Sequence, residues 1–320
     1  MRFSREIRAL ILLVVVFAAA AIKAPRLLEP SSISSILLWI PLLTVMAVGQ
    51  MLVIVSRGID VSVGSILGFA GIAVGMLFRA HPDMNVYLGA GIALAIGAAL
   101  GAVNGMLVAW AKIPAIITTL GTLSAYRGLT FILSKGEQID SNNIPIAVSE
   151  WSMSGPFKIG GVTIPWILVF TALVVVIGHV FARRTVTGRN LYAIGSNMEA
   201  ARLHGVNVNA LLILAYAACG ALAGFAGIMY ASRYGFVNPG TAGFGMELTV
   251  IAATVIGGTD VRGGSGSVPG VVIGCVLLGV INVALAVIGI AADWQLFFYG
   301  AIILVAVGLD AFVGKAEAKA

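Results

Sequence analysis

Charge is scarce in this chain, and so are the residues that carry covalent chemistry. Only 10% of its 320 residues are Asp, Glu, Lys or Arg, where a soluble protein carries about 25%. There are two cysteines and three histidines. Cys219 and Cys275 fall inside apolar runs and read as small hydrophobes, not as a disulfide or a metal pair. His81, His179 and His204 are too far apart to form a ligand spacing, so no metal is expected. No nucleophile–base set and no close histidine–carboxylate cluster lies in the apolar runs, which argues against an intramembrane enzyme. Charged residues do not recur along any run as a proton relay or voltage sensor requires. There is no G-x-x-x-x-G-K-[ST]: Gly314-Lys315 is followed by Ala316, and Gly263-Gly264-Ser265-Gly266 lacks a preceding strand. A nucleotide site, a catalytic residue and a cofactor on this chain are therefore not expected.

What is present is hydrophobicity. Sixty per cent of residues are hydrophobic and the mean hydropathy is +1.06. Several runs exceed the roughly 18 apolar residues of a transmembrane helix, and they are continuous where a β-barrel would alternate. The chain reads as an all-α, polytopic membrane protein, one transmembrane domain over 1–320. Ten spans are expected near 7–22, 33–55, 61–78, 86–110, 113–133, 164–182, 208–231, 247–257, 267–288 and 294–310. The first reads as an uncleaved helix and not as a signal peptide. The eighth is short for a crossing. The fifth contains Arg127, which makes it the candidate for a broken or partly re-entrant span.

Charge orients these spans. With both termini in the cytoplasm, twelve of the nineteen basic residues fall inside and six outside, with Arg127 left within a span. The net charge of +6 is thereby read as topology and membrane-surface chemistry, with no nucleic acid implied. The longest external loop, 134–163, holds Glu137, Asp140, Asn142, Asn143, Glu150 and Trp151, and a loop of that length is functional or disordered.

Glycine is abundant, at 40 residues, and its placement is regular. Gly89, Ala93, Gly97, Gly101 and Gly105 recur every four residues along one helical face, and Gly220/Gly224 and Gly270/Gly274 repeat the pattern. Such stripes let membrane helices approach closely. One internal match aligns Gly58-Ile-Asp60-Val61 with Gly258-Thr-Asp260-Val261, each at a cytoplasmic turn entering a span. The match reads as a relic of duplication, as coincidence in a chain rich in Gly, Val and Ser, or as helix capping in both stretches.

Neutral polar residues mark two regions. Within the spans, Gln50, Asn104, Thr118, Thr119 and Thr122 either bond neighbouring helices or line a translocation path; hydroxyl and amide groups suit a sugar better than an ion. Between two spans lies a polar island, Gly195 to Val206. Ser196 with Glu199 reads as a capping box, and Gly205 supplies the left-handed residue that stops a helix. A two-turn helix with its own start and stop cannot be there to fill a core, so it presents a surface, most plausibly to another protein.

Around that helix, Glu199-Ala200-Ala201-Arg202-x-x-Gly205 resembles the coupling motif of bacterial ABC importer permeases. Further motifs extend the likeness over about 40–310. These are Ile59-Asp60-Val61-Ser62-Val63-Gly64-Ser65, Asn104-Gly105, Ile113-Pro114-Ala115-Ile116, Thr119-Leu120-Gly121-Thr122-Leu123, Tyr126-Arg127-Gly128 and Gly257-Gly258-Thr259. Together they are similar to the monosaccharide permeases, of the type serving ribose, rhamnose or autoinducer-2. The resemblance implies a type II importer bundle in the bacterial inner membrane. It implies a second permease, identical or related, ATP-binding subunits that hold ATP and magnesium, and a periplasmic sugar-binding protein. It assigns Gly195, Asn197, Glu199, Ala200, Ala201, Arg202 and Gly205 to the ATPase contact. Arg57 stands where glycine is common and Asp260 where serine is, both at predicted cytoplasmic turns, where they would tune ATPase docking. A stand-alone sugar facilitator and a branched-chain amino-acid permease are the competing readings.

Overall fold

Each long apolar run folds as a helix because a backbone in hydrocarbon must satisfy its N–H and C=O groups within the segment. A computed structural model of the chain describes residues 5–290 together with 294, 297, 300 and 301. Among the described residues the order is α1 (Arg5–Lys23), a 3-10 turn (Pro25–Leu28), α2 (Pro30–Val55), α3 (Val63–Ala80), α4 (Val86–Ala109) and α5 (Ala115–Ser134). A second 3-10 turn (Ser141–Asn143), α6 (Ile146–Met153), β1 (Phe157–Ile159) and β2 (Val162–Ile164) follow. Then come α7 (Trp166–Arg184), α8 (Val186–Ser196), α9 (Met198–Leu203), α10 (Val208–Tyr234), α11 (Met246–Ile256) and α12 (Val268–Val287).

Seven of these, α2, α3, α4, α5, α7, α10 and α12, are long and apolar enough to cross a membrane. They correspond to seven of the ten expected spans. The first expected span is α1, which carries Arg5, Glu6, Arg8 and Lys23 and lies against α12, with Leu13 and Phe17 beside Val280 and Val283. The eighth is α11. The tenth, near 294–310, falls mostly outside the described residues.

The core forms around α2, α3 and α10. α2 is buried over nearly its whole inner two-thirds, from Ile40 to Val55. The glycine stripe of α4 meets α10 backbone to backbone. A methyl group on Gly97 would strike the Gly220 carbonyl and Gly224, and one on Gly101 would strike the Tyr216 carbonyl and Gly220. Gly274 of α12 is set in the same way against Ala253 of α11. The stripes are thus packing surfaces. Cys219 and Cys275 are buried and free.

The fifth span is unbroken: α5 runs straight through Arg127. The irregular backbone lies instead between α10 and α11. Val237 pairs with Ile139 through two 2.9 Å bonds at one face of the bundle. From there the chain descends along α3, with Val237 against Gly71, the Ala242 carbonyl against Gly68 and the Gly243 carbonyl against Gly64. Gly71 to Gly64 is two helical turns, about 10 Å of axis. Only then does α11 begin, and its 11 residues cover about 16 Å, half of the hydrocarbon thickness. The expected short span is therefore a descending segment plus a half-helix.

The long loop is ordered. Trp151 of α6 packs edge-on against Phe170 at 5.0 Å, and the Ser152 and Ser232 hydroxyls lie 2.8 Å apart. β1 and β2 form an antiparallel hairpin with Lys158 opposite Thr163. This defines a hairpin face, opposite the α9 face.

Candidate functional site

The α8–α9 elbow is the first candidate. α8 opens on Thr185, whose hydroxyl accepts the Gly188 N–H at 2.9 Å, and it continues through Ser196. Ser196 is thus the end of one helix and not the cap of the next. The expected capping box does not form. Asn197 is the first extended residue, and its side-chain oxygen accepts the Ala200 N–H at 3.0 Å, a role asparagine fills as well as serine does. Glu199 pairs instead with Arg202 at 2.9 Å, one turn on. The far end matches expectation. Gly205 is left-handed at φ 78°. Its N–H donates to the Arg202 carbonyl at 2.9 Å, and the Val206 N–H donates to the Ala201 carbonyl at 3.1 Å, the two bonds of a Schellman stop.

The elbow sits on the bundle through Ile194 and Ala201, which pack with Ala109, Val208 and Leu212. Asn197, Glu199, Arg202, Leu203 and His204 face outward. Leu203 is 87% exposed.

Two turns meet behind the elbow. Arg57, at the end of α2, donates from Nε to the Gly195 carbonyl at 2.7 Å and from Nη2 to the Ser196 carbonyl at 2.9 Å. The Gly264 N–H donates to the Val55 carbonyl at 2.8 Å. Gly195 fits only because it lacks a side chain: a Cβ there would fall on the Val55 carbonyl and the Gly264 nitrogen. The matched turns share one device. Asp60 Oδ1 accepts the Ser62 N–H at 2.8 Å, and Asp260 Oδ1 accepts the Arg262 N–H at 3.0 Å, an Asx turn in both.

Asp60 is fully buried and organises the turn between α2 and α3. Besides the Ser62 N–H it accepts the Ser62 hydroxyl at 2.6 Å, and the Asn104 amide lies 3.4 Å from its other oxygen. Asn104 also donates to the Ser62 hydroxyl at 2.8 Å and accepts from Tyr126 at 3.1 Å. The Gln50 amide, oriented to satisfy both its ends, pairs with the Asp60 backbone N–H and C=O at 3.1 Å each. The Thr119 hydroxyl lies 2.9 Å from the Ala115 carbonyl of its own helix and 3.2 Å from the Ile59 carbonyl, sharing its proton between them. Burial pushes the Asp60 carboxyl above its usual range, and the hydrogen bonds from Ser62 and Asn104 pull it back.

The descending segment is the third feature. Irregular backbone at this depth must be buried or line a cavity, and its carbonyls need donors. Arg127 supplies them, donating to the Ala242 carbonyl at 2.6 Å and the Pro239 carbonyl at 3.4 Å. Asn238 accepts the Gly240 N–H at 2.9 Å.

A family model described as the branched-chain amino acid transport system permease component matches residues 32–307. The chain belongs to this permease family. Among its relatives, the permease is 36% identical over 307 residues to the autoinducer 2 import system permease protein LsrC of Photorhabdus luminescens, covering 96% of this chain and 90% of that one. It is 37% identical over 311 residues to the ribose import permease protein RbsC of Escherichia coli K12, covering 95% and 93%. No solved structure matches.

Within this permease the residues read from sequence separate into two groups. Of the coupling set, Asn197, Glu199, Arg202 and Gly205 are exposed on α9 or at its ends, Ala200 is half-buried, and Gly195 and Ala201 face the bundle. Of the path set, Gln50, Asn104 and Thr119 all reach residues 59–62, while Asn104 also accepts from Tyr126 and Thr119 also donates to the Ala115 carbonyl. Thr122 donates to the Thr119 carbonyl at 3.4 Å, and the buried Thr118 hydroxyl has no partner among the described residues. Sequence reading missed α8, whose cue was Thr185 with Leu191 and Ile194 three apart. It also missed the reach of Arg57 to the elbow, for which the chain carries no local signal.

Proposed function

We propose that this permease is the transmembrane subunit of an ATP-driven importer for a monosaccharide in a bacterial inner membrane. The α9 face and both termini lie in the cytoplasm, as the basic-residue bias requires. The chain pairs with a second permease, identical or related, and a periplasmic sugar-binding protein delivers substrate to the hairpin face. ATP and magnesium reside on partner subunits, and this chain performs no covalent chemistry. The sugar assignment rests on the relatives named for ribose and autoinducer 2.

One observation carries the reading: α9 is capped at both ends, so it is rigid, and it exposes Glu199, Arg202 and Leu203 away from the bundle. A stand-alone facilitator has no use for such a helix. Glu199 and Arg202 are both exposed, and a surface pair of this kind is worth under about 1 kcal/mol to the fold. Glu199→Arg is therefore expected to leave the permease inserted and folded. ATP-dependent sugar uptake in proteoliposomes falls at least about tenfold, while the partner still hydrolyses ATP. Normal uptake by that variant would remove α9 from the coupling role. The family description favours a second reading, amino-acid import. Competition of uptake by D-ribose and by leucine separates the two, since only one should compete.

A further inference from the structure

We propose that Arg57 is the tie that carries displacement of α9 into the membrane bundle, a positioning residue for the transport cycle; this rests on the importer reading above. The elbow meets the bundle through apolar contacts and through polar bonds, and among the latter Tyr192 of α8 donates to the Gly266 carbonyl at 3.1 Å, in the turn before α12. Ile194 and Ala201 make apolar contacts with Ala109, Val208 and Leu212, and apolar contact is non-directional, so these surfaces can slide. The Arg57 guanidinium instead grips the last two carbonyls of α8, Gly195 and Ser196, at 2.7 and 2.9 Å. Those carbonyls lack intrahelical donors and sit at the negative end of the helix dipole. A planar fork on two acceptors fixes angle as well as distance, which a lysine cannot do.

The backbone supports the same assignment. Arg57 is left-handed at φ 68°, a conformation that glycine adopts freely and other residues adopt at a cost. A turn needing only to turn is better served by glycine, so the side chain accounts for the arginine. On one side Gly263 lies against the Arg57 Cγ, where a Cβ would come within 2.6 Å. Beyond Arg57 the chain is gripped from every side. Tyr216 of α10 lies under Gly58, Gln50 of α2 and Thr119 of α5 hold residues 59–60, and Asn104 of α4 reaches Asp60 and Ser62. Through Arg57, a pull on α8 thus enters four spans.

The test uses Arg57→Gly and Arg57→Lys in the full chain. Glycine relieves the left-handed strain, so its melting temperature stays within a few degrees of wild type. Amide exchange over 197–206, measured on the purified chain, rises about tenfold in Arg57→Gly and less in Arg57→Lys. In proteoliposomes holding the chain with the ATP-binding protein and any second permease that co-purify with it, and with the sugar-binding protein supplied outside, monosaccharide taken up per ATP hydrolysed falls at least about tenfold in Arg57→Gly and is partly rescued by Arg57→Lys. Wild-type exchange at the elbow in Arg57→Gly overturns the tie. Raised exchange with an unchanged uptake-to-ATP ratio overturns the transmitting role. Absence of ATP-dependent uptake in the wild type defeats the importer reading alone, and exchange still decides whether the tie exists.

Discussion

Gly101→Leu is expected to leave almost no folded permease in the membrane. At this position α4 and α10 are in backbone contact: a Cβ would strike the Tyr216 carbonyl and lie 3.0 Å from the Gly220 Cα. Overpacking a core by methylenes costs about 1–3 kcal/mol when side chains can adjust. Here the neighbour is main chain, so the helices must separate. Separation also undoes the contacts of Gly97 with Gly220 and Gly224 and of Gly105 with Ile213. The summed loss approaches the whole stability of a domain, about 5–15 kcal/mol. Gly121→Ala and Gly128→Ala on α5 are the controls, because no atom lies within 4 Å of a Cβ at either site. Chain expressed alone and examined by size-exclusion chromatography should give a monodisperse peak for both controls and little or none for Gly101→Leu. An equal peak for Gly101→Leu would show that α4 and α10 do not approach as described.

The same crossing shows why parts of the fold were legible in the sequence. A glycine every four residues states its own helical face, so the α4 stripe could be read without a partner. The stop of α9 was legible for the same reason, since Gly205 and the two bonds around it lie within the six residues 201–206. The start was misassigned by one residue because it depends on where α8 ends, and α8 has a mixed polar sequence that announces no helix. Arg127 drew attention to the wrong element. It looked like a flaw in α5, whereas it serves carbonyls 112 and 115 residues later. The segment it serves reads as an ordinary loop, and only the glycines of α3 let it sink between helices. Gln50, Asn104 and Thr119 were correctly singled out as polar within spans, but their shared neighbour, residues 59–62, is ten residues from Gln50 and on another part of the chain for Asn104 and Thr119. Local signals carried the elements, and tertiary contact decided what the polar residues do.

That shared neighbour yields a prediction of comparable size. Asp60→Ala removes the acceptor for the Ser62 N–H and hydroxyl and leaves the Asn104 amide facing an apolar void. A buried donor left without an acceptor costs about 1–3 kcal/mol, so the Ser62 N–H and hydroxyl together cost about 2–6 kcal/mol, while Asn104 keeps its 2.8 Å bond to the Ser62 hydroxyl. Asp60→Asn keeps the shape and one accepting oxygen and should lose less than half as much. Melting of purified protein orders the variants as wild type, Asp60→Asn, then Asp60→Ala, and the reverse order of the two variants would contradict the network. A double-mutant cycle tests its wiring. Asn104 shares the Asp60 carboxylate, so Asp60→Ala with Asn104→Leu should cost clearly less than the two separately. Gln50 instead binds the Asp60 backbone, which the alanine retains, so Asp60→Ala with Gln50→Leu should come nearer to additivity. Equal coupling in both pairs would mean that the turn fails as one unit, and that Gln50 and Asn104 do not hold it by separate grips.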